Sequence, residues 1–302
     1  MRFNEDAGLD VSEVQDMRGV GGRVALGGGG LGVVGLVIYF LFSQFGAVDP
    51  GGGSGALGLG QVGSGQQVSN GSLAQECRTG ADANRNHDCA VVATINSIQD
   101  YWGEQFARSG QTYQKAQTNF FNGGVRTGCG SASSDVGPFY CPADAEVYID
   151  LAFFQQLRSQ FGAQGGPFAE AYVLAHEYGH HVQNLLGNSA KAGQGSGPTS
   201  GSVRLELQAD CYAGVWANHA TTAASENGRP LITEVTDEDI KSALDTAAKI
   251  GDDYIQSELG GGRVDQSKFT HGTSKQREKW FSAGYSSGDP TRCDTFSARD
   301  LG

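Results

Sequence analysis

The stretch that decides the fold is PFAEAYVLAHEYGHHVQNLLG at residues 167–187. Its apolar positions recur at helical spacing on both sides of the polar HEYGHH segment. Pro167 suits the first turn of a helix, and Gly187 suits the left-handed position that follows a last turn. We therefore expect one helix over residues 168–186, with the HEYGHH segment on it.

Two histidines on this helix are placed to share a metal ion. His176 and His180 are four residues apart, which separates them by about 40° around the helix axis and one turn along it. Glu177 lies beside them and can take a proton from a water that the metal activates. Two histidines that only formed hydrogen bonds in a core would not need this glutamate. The H-E-x-x-H pattern therefore predicts one Zn²⁺ ion bound by His176 and His180, with Glu177 as the catalytic general base.

A third metal ligand is expected further along the chain, because a catalytic zinc takes three protein ligands and keeps one position open. The segment RLELQADCYAGVW at residues 204–216 places Glu206 and Asp210 four residues apart on one helix face. Its apolar residues predict a buried helix, in which a carboxylate needs a partner. Glu206 is the predicted third ligand, and Asp210 is expected to accept the remaining ring N–H of a histidine ligand.

These motifs resemble those of known metallopeptidases. HEYGH followed by E-x-x-x-D is similar to the gluzincin metallopeptidases. Longer stretches resemble the bacterial "putative neutral zinc metallopeptidase" family, from the initial MRFNEDAGLD through CGSASSDVGPFYCPADAEVYIDLAFF, HEYGHHVQ and ELQADCYAGVWA to HGTSKQREKWFSAGY and CDTF. The resemblance implies a zincin-like fold, with zinc held by His176, His180 and Glu206. It also implies that residues 136–150 contain the strand that binds extended peptides in gluzincins.

The resemblance further suggests roles for residues near the C-terminus. Gluzincins often place a late histidine or tyrosine where it stabilises the oxyanion, and His271 occupies a similar position here. A position beside the N-cap of the last helix is an equally good interpretation of His271, and Tyr212 is another candidate for the oxyanion. Arg277 is expected either to orient His271 or to pair with Asp210.

The chain has six cysteines and no C-x-x-C pair that would favour a structural zinc ribbon. Disulfides are the expected use, and six buried thiols in a cytosolic protein are the alternative. Six cysteines allow fifteen connectivities, but proximity in sequence favours two short-range pairs and leaves a third. The favoured pairs are Cys77 with Cys89, Cys129 with Cys141, and Cys211 with Cys293.

An apolar run without charged residues extends over residues 24–47 and is long enough to cross a bilayer core of about 30 Å as a helix. A secretory signal peptide is the alternative, but the run begins about two dozen residues from the N-terminus and has no clear cleavage site, which favours a retained anchor. Arg2, Arg18 and Arg23 precede it and the next basic residue is Arg78, so the positive-inside rule predicts a cytoplasmic N-terminus. We expect a single-pass protein of the cell membrane whose domain is extracytoplasmic, where disulfides persist.

The organisation expected from these features has four parts. Residues 1–23 form a cytoplasmic segment, 24–47 a transmembrane helix, 48–75 a flexible linker rich in glycine and serine, and 76–302 the zinc metallopeptidase domain. The linker is expected to let the domain move within a short distance of the membrane. The expected fold class is α+β: a mainly helical zincin-like domain with a small sheet, preceded by one transmembrane helix.

The expected function combines this site with the composition. The formal net charge of −12, with no cluster of Lys or Arg, disfavours nucleic acid as a partner. We expect a membrane-anchored zinc endopeptidase that hydrolyses peptide bonds in envelope or secreted proteins. The alternative is a non-catalytic envelope scaffold in which zinc only holds helices together, and three ligands with an open position disfavour it. The sequence leaves the oligomeric state open.

Overall fold

The computed structural model describes residues 1–18, 71–193, 195–225 and 228–302. The predicted transmembrane helix at residues 24–47 lies outside this described part, as does most of the predicted linker. Within the described part, no helix is long and apolar enough to cross a membrane. The fold is therefore that of the domain together with the first residues of the chain.

The described residues form an α+β fold of long helices and short strands, which confirms the expected fold class in this respect. The helices are α1 (Gly71–Glu76), α2 (Gly80–Ala83), α3 (His87–Arg108), α4 (Phe153–Ser159), α5 (Pro167–Leu185), α6 (Gly201–His219), α7 (Asp237–Lys249), α8 (Asp252–Tyr254), which continues into a π-helical turn (Ile255–Leu259), and α9 (Ser274–Ser287). The strands are β1 (Arg2–Phe3), β2 (Val14–Asp16), β3 (Thr118–Phe120), β4 (Gly124–Thr127), β5 (Gly130–Ser133), β6 (Phe139–Cys141), β7 (Glu146–Ile149) and β8 (Ile232–Glu234).

Helix α5, which carries the HEYGHH segment, lies at the centre of the domain. It contacts helices α3, α6 and α7 and strands β6 and β7. Pro167 occupies its first turn and Gly187 has a φ of 71° just after its end, as the sequence predicts. A helix surrounded in this way buries residues on all its faces. Its polar residues must therefore find partners inside the protein.

A four-stranded sheet has the order β2-β3-β7-β6. Strands β2, β3 and β7 run parallel to one another, and β6 runs antiparallel to β7 at one edge of the sheet. Strand β6 contacts α5, so this edge lies beside the helix that carries the HEYGHH segment. The region at 136–150, which the resemblance singles out for peptide binding, thus includes a strand at the edge of the sheet.

The first eighteen residues belong to the same folded unit as the domain. Strand β1 pairs antiparallel with β8, and β2 pairs parallel with β3 at the second edge of the sheet. The sequence-based organisation separated residues 1–23 from the domain, and these pairings correct it for residues 1–18. Helix α1 likewise occupies the end of the predicted linker. Pairing of short strands depends on distant neighbours, which local sequence patterns do not reveal.

Helices α6 and α9 approach closely because each presents a glycine at their contact. A Cβ atom at Gly214 of α6 would overlap the backbone carbonyl oxygen of Phe281, and one at Gly284 of α9 would overlap that of Cys211. Neither obstacle is a flexible side-chain end, so a larger residue would push the helix backbones apart. This contact is important for the site, because α6 carries Glu206 and Asp210 while α9 carries Arg277.

We expect Gly214→Ala to lower the free energy of unfolding by about 2–3 kcal/mol, because the added methyl group forces α6 away from α9. Gly103→Ala on α3 is the matched control, since a Cβ atom there has no neighbour within 4 Å. The control should stabilise the protein by about 0.5–1 kcal/mol, because alanine lowers the entropy of the unfolded chain. Denaturant unfolding of the two variants measures both effects, and equal stabilities would contradict the close helix contact.

Three disulfides join Cys77 to Cys89, Cys129 to Cys141 and Cys211 to Cys293. These are the pairs that sequence proximity favours, and they leave none of the six cysteines free. The third spans 82 residues and ties α6 to the C-terminal segment. Because Cys211 follows Asp210 directly, this bond braces the helix that carries Glu206 and Asp210.

Candidate metal centre

Three potential metal ligands come together from α5 and α6. Ligand atoms of His176, His180 and Glu206 all lie within 4.8 Å of one another. Nε2 of His176 is 3.1 Å from one carboxylate oxygen of Glu206, and Nε2 of His180 is 3.4 Å from the other. A tetrahedral ion with bonds of about 2.1 Å holds its ligand atoms roughly 3.4 Å apart. The two imidazoles, the carboxylate and their spacing therefore fit a zinc ion.

Charges within this cluster favour a cation. Burial disfavours the charged form of His176, but the carboxylates of Asp210 and Glu206 outweigh it and raise the pKa of His176 to about 10. Burial also opposes ionisation of Glu206, yet His180 and His176 hold its pKa well below the ordinary value. The two carboxylates thus attract positive charge to the space between the imidazoles. A divalent metal ion supplies such charge in place of a proton.

The ring nitrogens that face away from Glu206 also have partners. Nδ1 of His176 lies 2.9 Å from a carboxylate oxygen of Asp210, which is the contact expected for Asp210. Nδ1 of His180 lies 2.9 Å from the side-chain oxygen of Gln183. Gln183 is not among the site residues predicted from the sequence, although its i,i+3 spacing from His180 on one helix is a usable signal. Such partners orient each imidazole and determine which nitrogen remains for the metal.

Asp210 is the centre of a buried polar cluster. Nε and Nη2 of Arg277 donate to its two oxygens at 2.8 and 2.9 Å, and the hydroxyl of Tyr172 donates to it at 2.6 Å. Asp210 is 0 % exposed and Arg277 is 2 % exposed, so neither charge is solvated. Of the two roles expected for Arg277, the structure shows pairing with Asp210. The ring of His271 is held by Asp252 instead, at 3.1 Å from its Nδ1.

Glu177 is 8 % exposed and lines the same cleft as the three ligands. Burial raises the pKa of its carboxyl above the ordinary value, against the opposing effects of His176, His180 and a hydrogen bond from the backbone of Tyr140. Strand β6 thus contacts this carboxylate through its backbone. A carboxyl group with a raised pKa beside metal ligands accepts a proton more readily than an ordinary carboxylate.

His271 also lines this cleft. One oxygen of Asp252 accepts hydrogen bonds from the backbone N–H groups of residues 270–272 at 2.7, 2.7 and 2.9 Å. Burial disfavours the charged imidazolium, but Asp252 outweighs it and raises the pKa of His271. Asp252, which lies 19 residues before His271, is not among the site residues predicted from the sequence. Tyr212 is not among the residues around the cleft, and its ring packs against Trp102.

The cleft beside the ligands has a volume of about 200 Å³. Strand β6 contributes Phe139 and Tyr140 to its wall. Other apolar side chains around it include Phe153, Phe161, Val173, Leu205, Ile250 and Ile255. An apolar cavity of about 150 Å³ is sufficient to bind benzene. The cleft can therefore receive an apolar side chain next to the candidate metal centre.

Comparison with known proteins agrees with this geometry. The chain matches the family described as "Putative neutral zinc metallopeptidase" over residues 4–296. It is 52% identical over 257 residues to the protein Rv2575 of Mycobacterium tuberculosis strain H37Rv, covering 84% of this chain and 85% of that protein. It is 39% identical over 297 residues to YpfJ of Escherichia coli strain K12, covering 94% and 95% respectively. The names of these relatives state no activity, and no solved structure matches the chain.

Proposed function

Because the chain belongs to the "putative neutral zinc metallopeptidase" family, we propose that it is a zinc-dependent endopeptidase with a zincin-like domain. The observation that carries the proposal is the buried carboxylate of Glu177 beside three side chains whose geometry suits one zinc ion. A structural zinc site is normally closed by four protein ligands, whereas three ligands leave a position for water or substrate. The arrangement therefore favours hydrolysis over a purely structural role.

The proposed roles follow from the contacts around the cleft. Zinc held by the three ligands would supply a Lewis acid that lowers the pKa of a water molecule and polarises a carbonyl group. Glu177 accepts a proton from the attacking water and later donates it to the departing amine, which its raised pKa favours. His271, whose protonated form Asp252 stabilises, donates a hydrogen bond to the oxyanion that develops on the substrate.

The proposed substrate is an extended peptide. Strand β6 lies at the edge of the four-stranded sheet, and its backbone reaches Glu177. A peptide that adds to this edge as a further strand would bring a backbone carbonyl to the metal centre. The apolar side chains around the cleft, among them Phe153, Phe161 and Ile255, support a preference for a bulky apolar residue next to the scissile bond.

We also propose that this activity is exercised outside the cytoplasm. The three disulfides support an oxidising compartment, because such bonds are rare in cytosolic proteins. The apolar run at residues 24–47 supports attachment to the cell membrane. The substrates would then be proteins of the cell envelope or secreted proteins.

The test of the proposed function combines metal content with hydrolysis by the purified full-length chain. We expect one zinc ion per chain and cleavage of fluorescence-quenched peptides, faster for peptides with an aromatic residue than for matched alanine peptides. A chelator should abolish cleavage, and added zinc should restore it. A scaffold would lose stability on chelation without ever cleaving a peptide. Zinc-loaded protein without chelator-sensitive cleavage would contradict the proposal.

A further inference from the structure

The N-terminal residues contribute one strand to each of two sheets of the domain. Strand β1 pairs with β8, and β2 completes the four-stranded sheet beside β3, in register from Val14 with Thr118 to Asp16 with Phe120. The side chains of Phe3 and Val14 are 4 % and 0 % exposed. These two residues are therefore part of the hydrophobic core of the domain.

Polar contacts also attach the N-terminal segment to helix α3 through Asp10 and Glu13. The carboxylate of Glu13 is buried and accepts a hydrogen bond from Asn96 at 2.7 Å, while Lys115 lies 2.5 Å from its other oxygen. Asn96 also accepts from the backbone N–H of Asp10 and donates to its carbonyl, both at 2.9 Å. If residues 10–14 left the domain, the buried amide of Asn96 would lose these partners without gaining water, which costs free energy. The core would also lose the buried side chain of Val14. Residues 10–14 are therefore an integral part of the folded domain.

The chain leaves and re-enters the domain at the same place. Arg18, the last described residue before residues 19–70, forms an ion pair at 2.6 Å with Asp88 in the first turn of α3. The chain returns at α1, and Cys77 just beyond it is joined to Cys89, the neighbour of Asp88. Both ends of residues 19–70 are therefore fastened to the beginning of α3.

This geometry restricts the membrane topology. The apolar run at residues 24–47 is long enough for one helical crossing of the bilayer, and two crossings would need roughly 40 residues. Residues 48–70 are rich in glycine and polar side chains and do not provide the second crossing. A single crossing would put residues 1–18 and the domain on opposite sides of the membrane, which their packing forbids.

We infer that residues 1–18 lie on the same side of the membrane as the metal centre, and that the apolar run attaches the domain to the bilayer without carrying the chain across it. The arginine distribution predicted a cytoplasmic N-terminus and an extracytoplasmic domain. We infer instead that the N-terminus lies on the same side as the domain.

The short connection between Arg18 and the apolar run also limits the distance between the domain and the membrane. Only residues 19–23 separate Arg18 from the start of the apolar run, and an extended chain of that length spans roughly 20 Å. The long linker expected from the sequence is thus only one of two connections, and the shorter one limits the distance. The domain stays close to the membrane, with the beginning of α3 directed towards it.

The topology can be tested with single added cysteines, because all six native cysteines are paired. Asp6→Cys reports on the N-terminal residues, and Lys241→Cys on helix α7 is the matched control in the domain. The side chains are 84% and 68% exposed, so neither change should disturb folding. A membrane-impermeant maleimide is applied to intact spheroplasts before and after permeabilisation, and thermal unfolding of the purified variants checks that both fold as the wild type does.

We expect both variants to be labelled to the same extent before permeabilisation, with no further gain after it. Labelling of Asp6→Cys only after permeabilisation, while Lys241→Cys is labelled before it, would overturn the inference. If both cysteines were protected until permeabilisation, residues 1–18 and the domain would still lie on the same side of the membrane. That side would be the cytoplasm, which would contradict the proposed extracytoplasmic location of the activity.

Discussion

Replacing Glu177 by glutamine is expected to lower kcat for peptide hydrolysis roughly 10²–10⁴-fold, the usual contribution of a general base. Glutamine keeps the size of the side chain but cannot accept a proton. The zinc content should stay the same, because Glu177 is not one of the three clustered ligands. Measurements of kcat, KM and zinc content for the purified variant and the wild type check both expectations.

Glu170→Gln is the matched control for this change. Glu170 lies on the same helix, but it pairs with His87 and Arg158 and is not among the residues around the cleft. We expect the control to keep both its zinc and its activity. A Glu177→Gln protein that held zinc and cleaved peptides at the rate of this control would rule out Glu177 as the general base.

Replacing Arg277 by methionine should lower the free energy of unfolding by about 3–5 kcal/mol, because it leaves the charge of Asp210 buried without its bidentate partner. Among the residues that the structure describes, Tyr172 and His176 would remain hydrogen-bonded to that carboxylate. Metal affinity should also fall roughly 10–100-fold, because Asp210 orients His176. Denaturant unfolding in the presence of a chelator measures the first effect, and competition with a chromophoric chelator measures the second.

Lys275→Met is the matched control, because it also replaces a positively charged residue by methionine on helix α9, but at an exposed position. Its free energy of unfolding should differ from that of the wild type by no more than about 0.5 kcal/mol. The comparison separates loss of the buried ion pair from loss of positive charge on the helix. Equal stabilities of the two variants would mean that the pair between Arg277 and Asp210 does not hold α9 against α6.

The part of the candidate site that could be predicted from the sequence lies within two helices. Residues four apart share a helix face whatever the rest of the protein does, so His176 with His180 and Glu206 with Asp210 could be recognised as pairs. That the two pairs meet rested on an argument about what zinc requires. The structure brings their ligand atoms together and shows Asp210 in contact with His176.

Other features of the site depend on elements that are distant in sequence. The sequence left Arg277 with two possible partners, and the packing of α9 on α6 decides for Asp210. Nothing in the sequence connected Asp252 with His271, because the segment between them consists of short helical turns and loops without a long periodic pattern. Gln183 was overlooked for another reason: its spacing from His180 is local, but glutamine is common on helices and carries no specific signal.

By itself, the sequence determined the family, the α+β class, the helix that carries HEYGHH and the relative positions of the ligands on each helix. Only the tertiary structure decided that residues 1–18 belong to the domain, which partner each buried charge has, and that both ends of residues 19–70 meet at the beginning of α3. The physical reason is the distance in sequence between the residues that interact. Helical spacing follows from backbone geometry over a few residues, whereas strand pairing and buried ion pairs depend on which segments meet when the whole chain folds.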